Sequence, residues 1–152
     1  MKLFKAVTAA LIVVAMVGGL WLIIFGAPID DSALNRNMQD FDDESFAQAQ
    51  ENEELILINF HRPFCPACLR QKRVLARYFI DFPDSHLRVF EISYNDNPEL
   101  VRRFGAVDAT TLVMFRGEQR NWYNHGQTET PEIYSALRRA EYHTHLFAED
   151  DD

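Results

Sequence analysis

The chain has 152 residues, 47% of them hydrophobic, and a formal net charge of −8 at pH 7. That size supports one packed domain core rather than two. The charge excludes nucleic acid as a natural partner, since phosphate binding needs the opposite sign; acidity of this kind serves solubility and discourages close approach to anionic lipid.

The first predicted element is an uncharged stretch, residues 6–27, long enough as a helix to cross roughly 30 Å of hydrocarbon. Lys2 and Lys5 precede it, and Asp30 and Asp31 are the first charges after it. The positive-inside rule then puts the N-terminus in the cytoplasm and the rest of the chain beyond the cytoplasmic membrane, periplasmic or extracellular. A cleaved signal peptide is the alternative. The apolar run exceeds the usual length of such a leader, and Phe25-Gly26-Ala27 lacks a small residue at −3, so residues 1–27 are read as an uncleaved single-pass signal-anchor. Residues 28–40 are polar with little periodicity and are read as a tether. Asp40, Asp42, Asp43 and Glu44 then lead into a short helix carrying Phe46 and Ala49, its acids placed where the helix dipole favours them.

Residues 55–60, Leu-Ile-Leu-Ile-Asn-Phe, read as a buried strand. After Pro66 the spacing of Leu69, Leu75, Phe79 and Phe82 suits one face of a helix of about 16 residues. Between the two stand the chain's only cysteines, in Cys65-Pro66-Ala67-Cys68. Pro66 fits the first helical position, and Cys65 falls at the helix N-terminus, where free amides and the dipole favour a thiolate. Cys65 is therefore the predicted nucleophile, and Cys68, one turn further in, the residue that resolves a mixed disulfide. A structural staple is a weaker reading, because so small a loop constrains the unfolded chain by only about 2 kcal/mol. A metal-binding reading also stands, although two thiolates with His61 leave a structural zinc set one ligand short.

Residues 87–92 read as a second strand, completing a βαβ unit whose crossover is right-handed. A turn at Asn95-Asp96-Asn97-Pro98 introduces a short helix that ends near Phe104-Gly105. Residues 111–115 and 119–124 form a hairpin about Arg116-Gly117-Glu118, Gly126 marks a turn, and residues 131–142 form the last helix, with Ile133, Leu137 and Ala140 along one side. Residues 147–152 are read as an acidic disordered tail. The fold class is thus α/β: a mixed sheet flanked by helices, preceded by one membrane-spanning helix.

The segment Asn59-Phe60-His61-Arg62-Pro63-Phe64-Cys65-Pro66-Ala67-Cys68, with the order of elements after it, resembles the thioredoxin family over about residues 41–146. The resemblance implies a thioredoxin-like domain, a redox-active Cys65/Cys68 disulfide with no other cofactor and no metal, and protein thiols or disulfides as substrates, served by a separate redox partner. It also marks departures. Asn59 stands where reducing members carry a buried Asp that moves protons, and an amide cannot take one. Glu91, on the neighbouring strand, is the candidate to replace it, against a reading in which it points to solvent. Thr110 stands where the family has its cis-proline, so the substrate-contacting loop at Ala109 and Thr110 is expected either trans or held cis by packing, a cis bond there costing about 2.5 to 4 kcal/mol. His61 is a candidate for tuning the Cys65 thiolate, or simply a polar strand end. Together these point to a thiol-disulfide oxidoreductase acting outside the cytoplasmic membrane. The alternative is a non-catalytic thioredoxin-like binding module, or a copper or zinc carrier using the two thiols.

Overall fold

The computed structural model describes residues 2–25 and 30–147. The apolar run forms α1 (Lys2–Phe25), a helix of 24 residues. Leu11, Ile12, Val13 and Val14 are each more than half exposed, and four consecutive positions span a full turn, so apolar surface is open on every side of it. Among the described residues no helix is long and apolar enough to cross a membrane. The end of the predicted anchor at residues 26–27 and residues 148–152 of the predicted tail 147–152 lie outside the described residues, whereas Phe147 is the last residue of the C-terminal helix.

The tether reading of residues 28–40 needs correction. Ser32 to Asn37 form a short helix, α2 (Ser32–Asn37), which buries Ala33 and Leu34. It leads directly into β1 (Met38–Asp40), which pairs in parallel with the strand carrying Glu91, Asp40 opposite Glu91. Two apolar residues in six gave too weak a period to show in the sequence, yet Leu34 is fully buried. The domain therefore begins about ten residues earlier than residue 41.

The remaining elements are α3 (Asp43–Glu51), β2 (Leu55–His61), α4 (Pro66–Asp81), β3 (Arg88–Ser93), α5 (Pro98–Phe104), β4 (Leu112–Arg116), β5 (Gln119–Asn124) and α6 (Thr130–Phe147). The sheet order is β1-β3-β2-β4-β5; β1, β3 and β2 are parallel, and β4 and β5 run antiparallel. β2 lies at the centre with every residue from Leu55 to Phe60 buried, which is why it reads as an unbroken apolar run rather than an alternating one.

Strand alternation sends two sets of side chains to opposite faces. Leu55, Leu57, Val89, Leu112 and Met114 pack under α2, α4 and α6, against Leu34, Leu75, Tyr78, Phe79, Ile133 and Leu137. Ile56, Ile58, Phe60, Phe90, Ile92 and Val113 pack under α3 and α5, against Phe46, Ala49 and Phe104. α3 is capped by Asp42, whose carboxylate accepts the amides of Glu44 and Ser45, both at 3.1 Å. Those bonds, led by Ser45, hold the Asp42 carboxyl below its usual range. α5 ends at Gly105 with φ 68°, a left-handed cap that a side chain would strain. The buried face of α4 differs in one position from the expected one: Leu69 is exposed, and Cys68, Gln71, Leu75, Tyr78 and Phe79 face inward.

Candidate redox site

β2 and α4 together place the two cysteines. The chain leaves the central strand at His61, turns through Pro63 and Phe64, and enters α4 with Cys65 as N-cap and Pro66 as first helical residue. Phe64 takes φ 55° in that turn, a left-handed conformation that costs a side-chain-bearing residue about 1–2 kcal/mol. Phe64 is 92% exposed and stands out from the surface. Cys65 and Cys68 form a disulfide with their Cα atoms 5.2 Å apart. Both are buried, and they cluster with Ala109.

The Cys65 sulfur accepts the Cys68 N–H at 3.1 Å. When the disulfide is reduced, the same amide and the positive end of α4 favour a thiolate at Cys65. On its other side, Cys68 Sγ lies 3.1 Å from the Ala109 carbonyl oxygen. The disulfide sulfur has no proton, so this is a close S···O approach, at a distance where a thiol would find the carbonyl as an acceptor.

The loop that carries Ala109 and Thr110 is trans throughout, since the described residues contain no cis peptide. Polar contacts hold it instead. Thr110 donates to the Asp108 carboxylate through its amide at 2.7 Å and its hydroxyl at 2.6 Å, and its hydroxyl oxygen accepts the Gly126 amide at 3.0 Å. Burial alone would raise the Asp108 carboxyl, but the two Thr110 bonds and His125, 3.5 Å from its other oxygen, outweigh that and leave it below the usual range. The carbonyl of Thr110 accepts from the buried Gln71 at 3.0 Å.

Asn59 and Glu91 are register partners on β2 and β3. Both lie on the sheet face that α4 covers, since they share the alternation phase of Leu57 and Val89. Asn59 is buried, and the Glu91 side chain is only 15% exposed, with Lys72 of α4 beside its carboxylate at 3.9 Å. Lys72 stands one helical turn after Cys68, so Glu91 lies beneath the cysteine-bearing helix and does not point to open solvent. His61 is half-buried at the end of β2, and its carbonyl accepts the Tyr94 amide at 2.8 Å. Among the described residues its imidazole has no hydrogen-bond or ion-pair partner, so the contact the geometry supplies to the Cys65 sulfur is the Cys68 amide. No three His, Cys, Asp or Glu side chains gather as a metal site among the described residues.

Gln71, Asp108 and His125 are site residues that the sequence reading missed. The usable signal was Gln71: a polar side chain three residues after Cys68 and four before Leu75, inside the apolar stripe of α4.

A parallel βαβ unit extended by an antiparallel hairpin, with a two-cysteine loop at the N-terminus of its crossover helix, defines a dithiol-disulfide protein of the α/β class. The thioredoxin family model matches residues 37–139. Thioredoxin from Alicyclobacillus acidocaldarius is 28% identical over 78 residues, 49% of this chain and 70% of that protein, and thioredoxin from Porphyra purpurea is 29% identical over 79 residues, 51% and 73% respectively. Among solved structures, Trxlp from Edwardsiella tarda superposes with TM-score 0.62 at 26% identity, over 66% of this chain and 97% of that one. Malassezia sympodialis thioredoxin, with TM-score 0.59 at 14% identity over 68% and 92%, shares the fold. The chain belongs to the thioredoxin family. With Cys65 and Cys68 at disulfide distance it is a thiol-disulfide oxidoreductase.

Proposed function

We propose that this protein exchanges disulfides with protein substrates outside the cytoplasmic membrane, through Cys65 as nucleophile and Cys68 as resolving thiol. The observation that carries the reading is the Cys65 sulfur at the N-cap of α4, accepting the Cys68 amide. In the reducing direction the Cys65 thiolate attacks one sulfur of a substrate disulfide and displaces the other as a thiolate. Cys68 then gives up its proton and attacks the Cys65 sulfur, which frees the second substrate thiol and leaves the Cys65–Cys68 disulfide. The oxidising direction reverses these steps, and a separate redox partner restores the starting state. Glu91, beneath α4 and beside Asn59, is the proposed acceptor of the Cys68 proton, and Ala109 and Thr110 line the face that receives substrate. No cofactor beyond the dithiol takes part in this scheme.

The location rests on the sequence at the N-terminus. Residues 6–27 carry no charge, lysines precede them and aspartates follow, and the described part of α1 has apolar side chains on every side. A helix of that kind suits lipid rather than water, and the redox domain then follows on the periplasmic or extracellular side.

The test is trapping in membranes. Full-length Cys68→Ser should accumulate mixed disulfides that dithiothreitol releases, Cys65→Ser should accumulate none, and the unsubstituted protein should catalyse insulin reduction by dithiothreitol. Absence of both trapping and insulin reduction, with metal bound to protein purified without chelator, would replace this reading with that of a metal carrier.

A further inference from the structure

Gln71 is 1% exposed, on the face of α4 that also carries Cys68. Its amide nitrogen donates to two backbone carbonyls, Thr110 at 3.0 Å and Gln127 at 2.8 Å. Two carbonyl acceptors require the NH2 end of the side chain there, so the orientation of the amide follows from its partners. Among the described residues its oxygen is buried and accepts no hydrogen bond. One side chain thus ties the helix of the resolving cysteine to two loops: the loop bearing Ala109 and Thr110, and the connection between β5 and α6. Thr110 closes the same circuit by bonding to Asp108 and to Gly126.

We infer that Gln71 and Thr110 are positioning residues for the redox reaction, forming a polar clasp that holds the trans Ala109–Thr110 loop against Cys68. The inference rests on the reading of Cys65 and Cys68 as a working dithiol. The clasp fixes the Ala109 carbonyl 3.1 Å from Cys68 Sγ. Only the reduced protein can use that carbonyl as a hydrogen-bond acceptor, because only the thiol has a proton to donate. A bond made in one redox state alone shifts the equilibrium toward that state, so the clasp favours the dithiol and keeps Cys68 protonated until it is called upon to resolve. Loosening the clasp should make the disulfide easier to form.

The experiment follows the equilibrium with glutathione, in which the Cys65–Cys68 disulfide and two glutathione thiols give the dithiol and one glutathione disulfide. Full-length protein in detergent is compared as wild type, Gln71→Met, Thr110→Val and Thr110→Ser. Methionine keeps the length of Gln71 without its donors, and valine keeps the shape of Thr110 without its hydroxyl. Gln71→Met and Thr110→Val should each move the equilibrium about threefold toward the disulfide, ~14 mV more reducing, and should quicken alkylation of reduced Cys68 near pH 7. Thr110→Ser, which restores the hydroxyl, should match wild type. If Gln71→Met does not fold, the two Thr110 variants decide the question alone. Folded variants that lose thermal stability but equilibrate with glutathione as wild type does would overturn the clasp and leave a structural tie. A wild-type protein that does not equilibrate with glutathione at all would overturn the dithiol reading itself.

Discussion

The Cys65 sulfur and the Cys68 backbone amide are hydrogen-bonded to each other, 3.1 Å apart across the first turn of α4. The two thiols are thereby made unequal by position alone. One meets the amides and the positive end of a helix, and the other meets a carbonyl oxygen.

That inequality sets the alkylation behaviour of the reduced protein. An ordinary thiol is only a few per cent ionised at pH 7, whereas one held at a helix N-terminus is substantially thiolate. Cys65 should react with iodoacetamide at pH 7 at least about tenfold faster than Cys68, as read by mass spectrometry of the peptide around the motif. Equal, slow modification of both would remove the nucleophile assignment.

Leu34 provides a test of where the domain begins. It is fully buried under α4, although it lies in a segment that reads as a linker. Leu34→Ala should destabilise the domain by about 2–5 kcal/mol, the usual range for emptying a leucine site in a core. The urea midpoint of unfolding measures it, and an unchanged midpoint would return residues 32–40 to the status of a tether.

The sequence made the central elements plain because their patterns are strong. β2 is apolar at nearly every position, α4 opens on a proline at its first helical position, and the hairpin is marked by Gly117, whose φ is 51°. It left β1 and α2 hidden, since three residues of Met38–Asp40 have no period of their own and take strand form only by pairing with β3. The site was legible to the same degree. Two cysteines at the head of a helix announce themselves, and the Asn59–Glu91 neighbourhood follows from strand order. The clasp did not announce itself, because Gln71, Thr110 and Gly126 are brought together from three separate segments and no local pattern links them.

The topology of the chain is open to a direct reporter test. Because Lys2 and Lys5 lie before the apolar run and Asp30 and Asp31 after it, alkaline phosphatase fused after Asp152 should be active in a bacterial host. A reporter that works only in the cytoplasm should be silent at the same position. The opposite pair of results would place the redox domain in the cytoplasm.

Glu91 carries the last prediction. Asn59 cannot accept a proton, and Glu91 is its register partner on the face under α4, with 15% of its side chain exposed and Lys72 beside it. Glu91→Gln keeps the shape and most of the hydrogen-bonding capacity while removing the carboxylate. Resolution of a preformed mixed disulfide by Cys68 should slow by about 10²-fold near pH 7, the low end of what a positioned base contributes. Attack by Cys65 in the first step should be nearly unchanged, because its thiolate is stabilised from the other side by the helix amides. The deficit should shrink as the pH rises, since alkaline solution ionises Cys68 without assistance. Stopped-flow kinetics of both steps from pH 6 to 9 would show this pattern, and resolution rates that match wild type across that range would leave water as the proton acceptor.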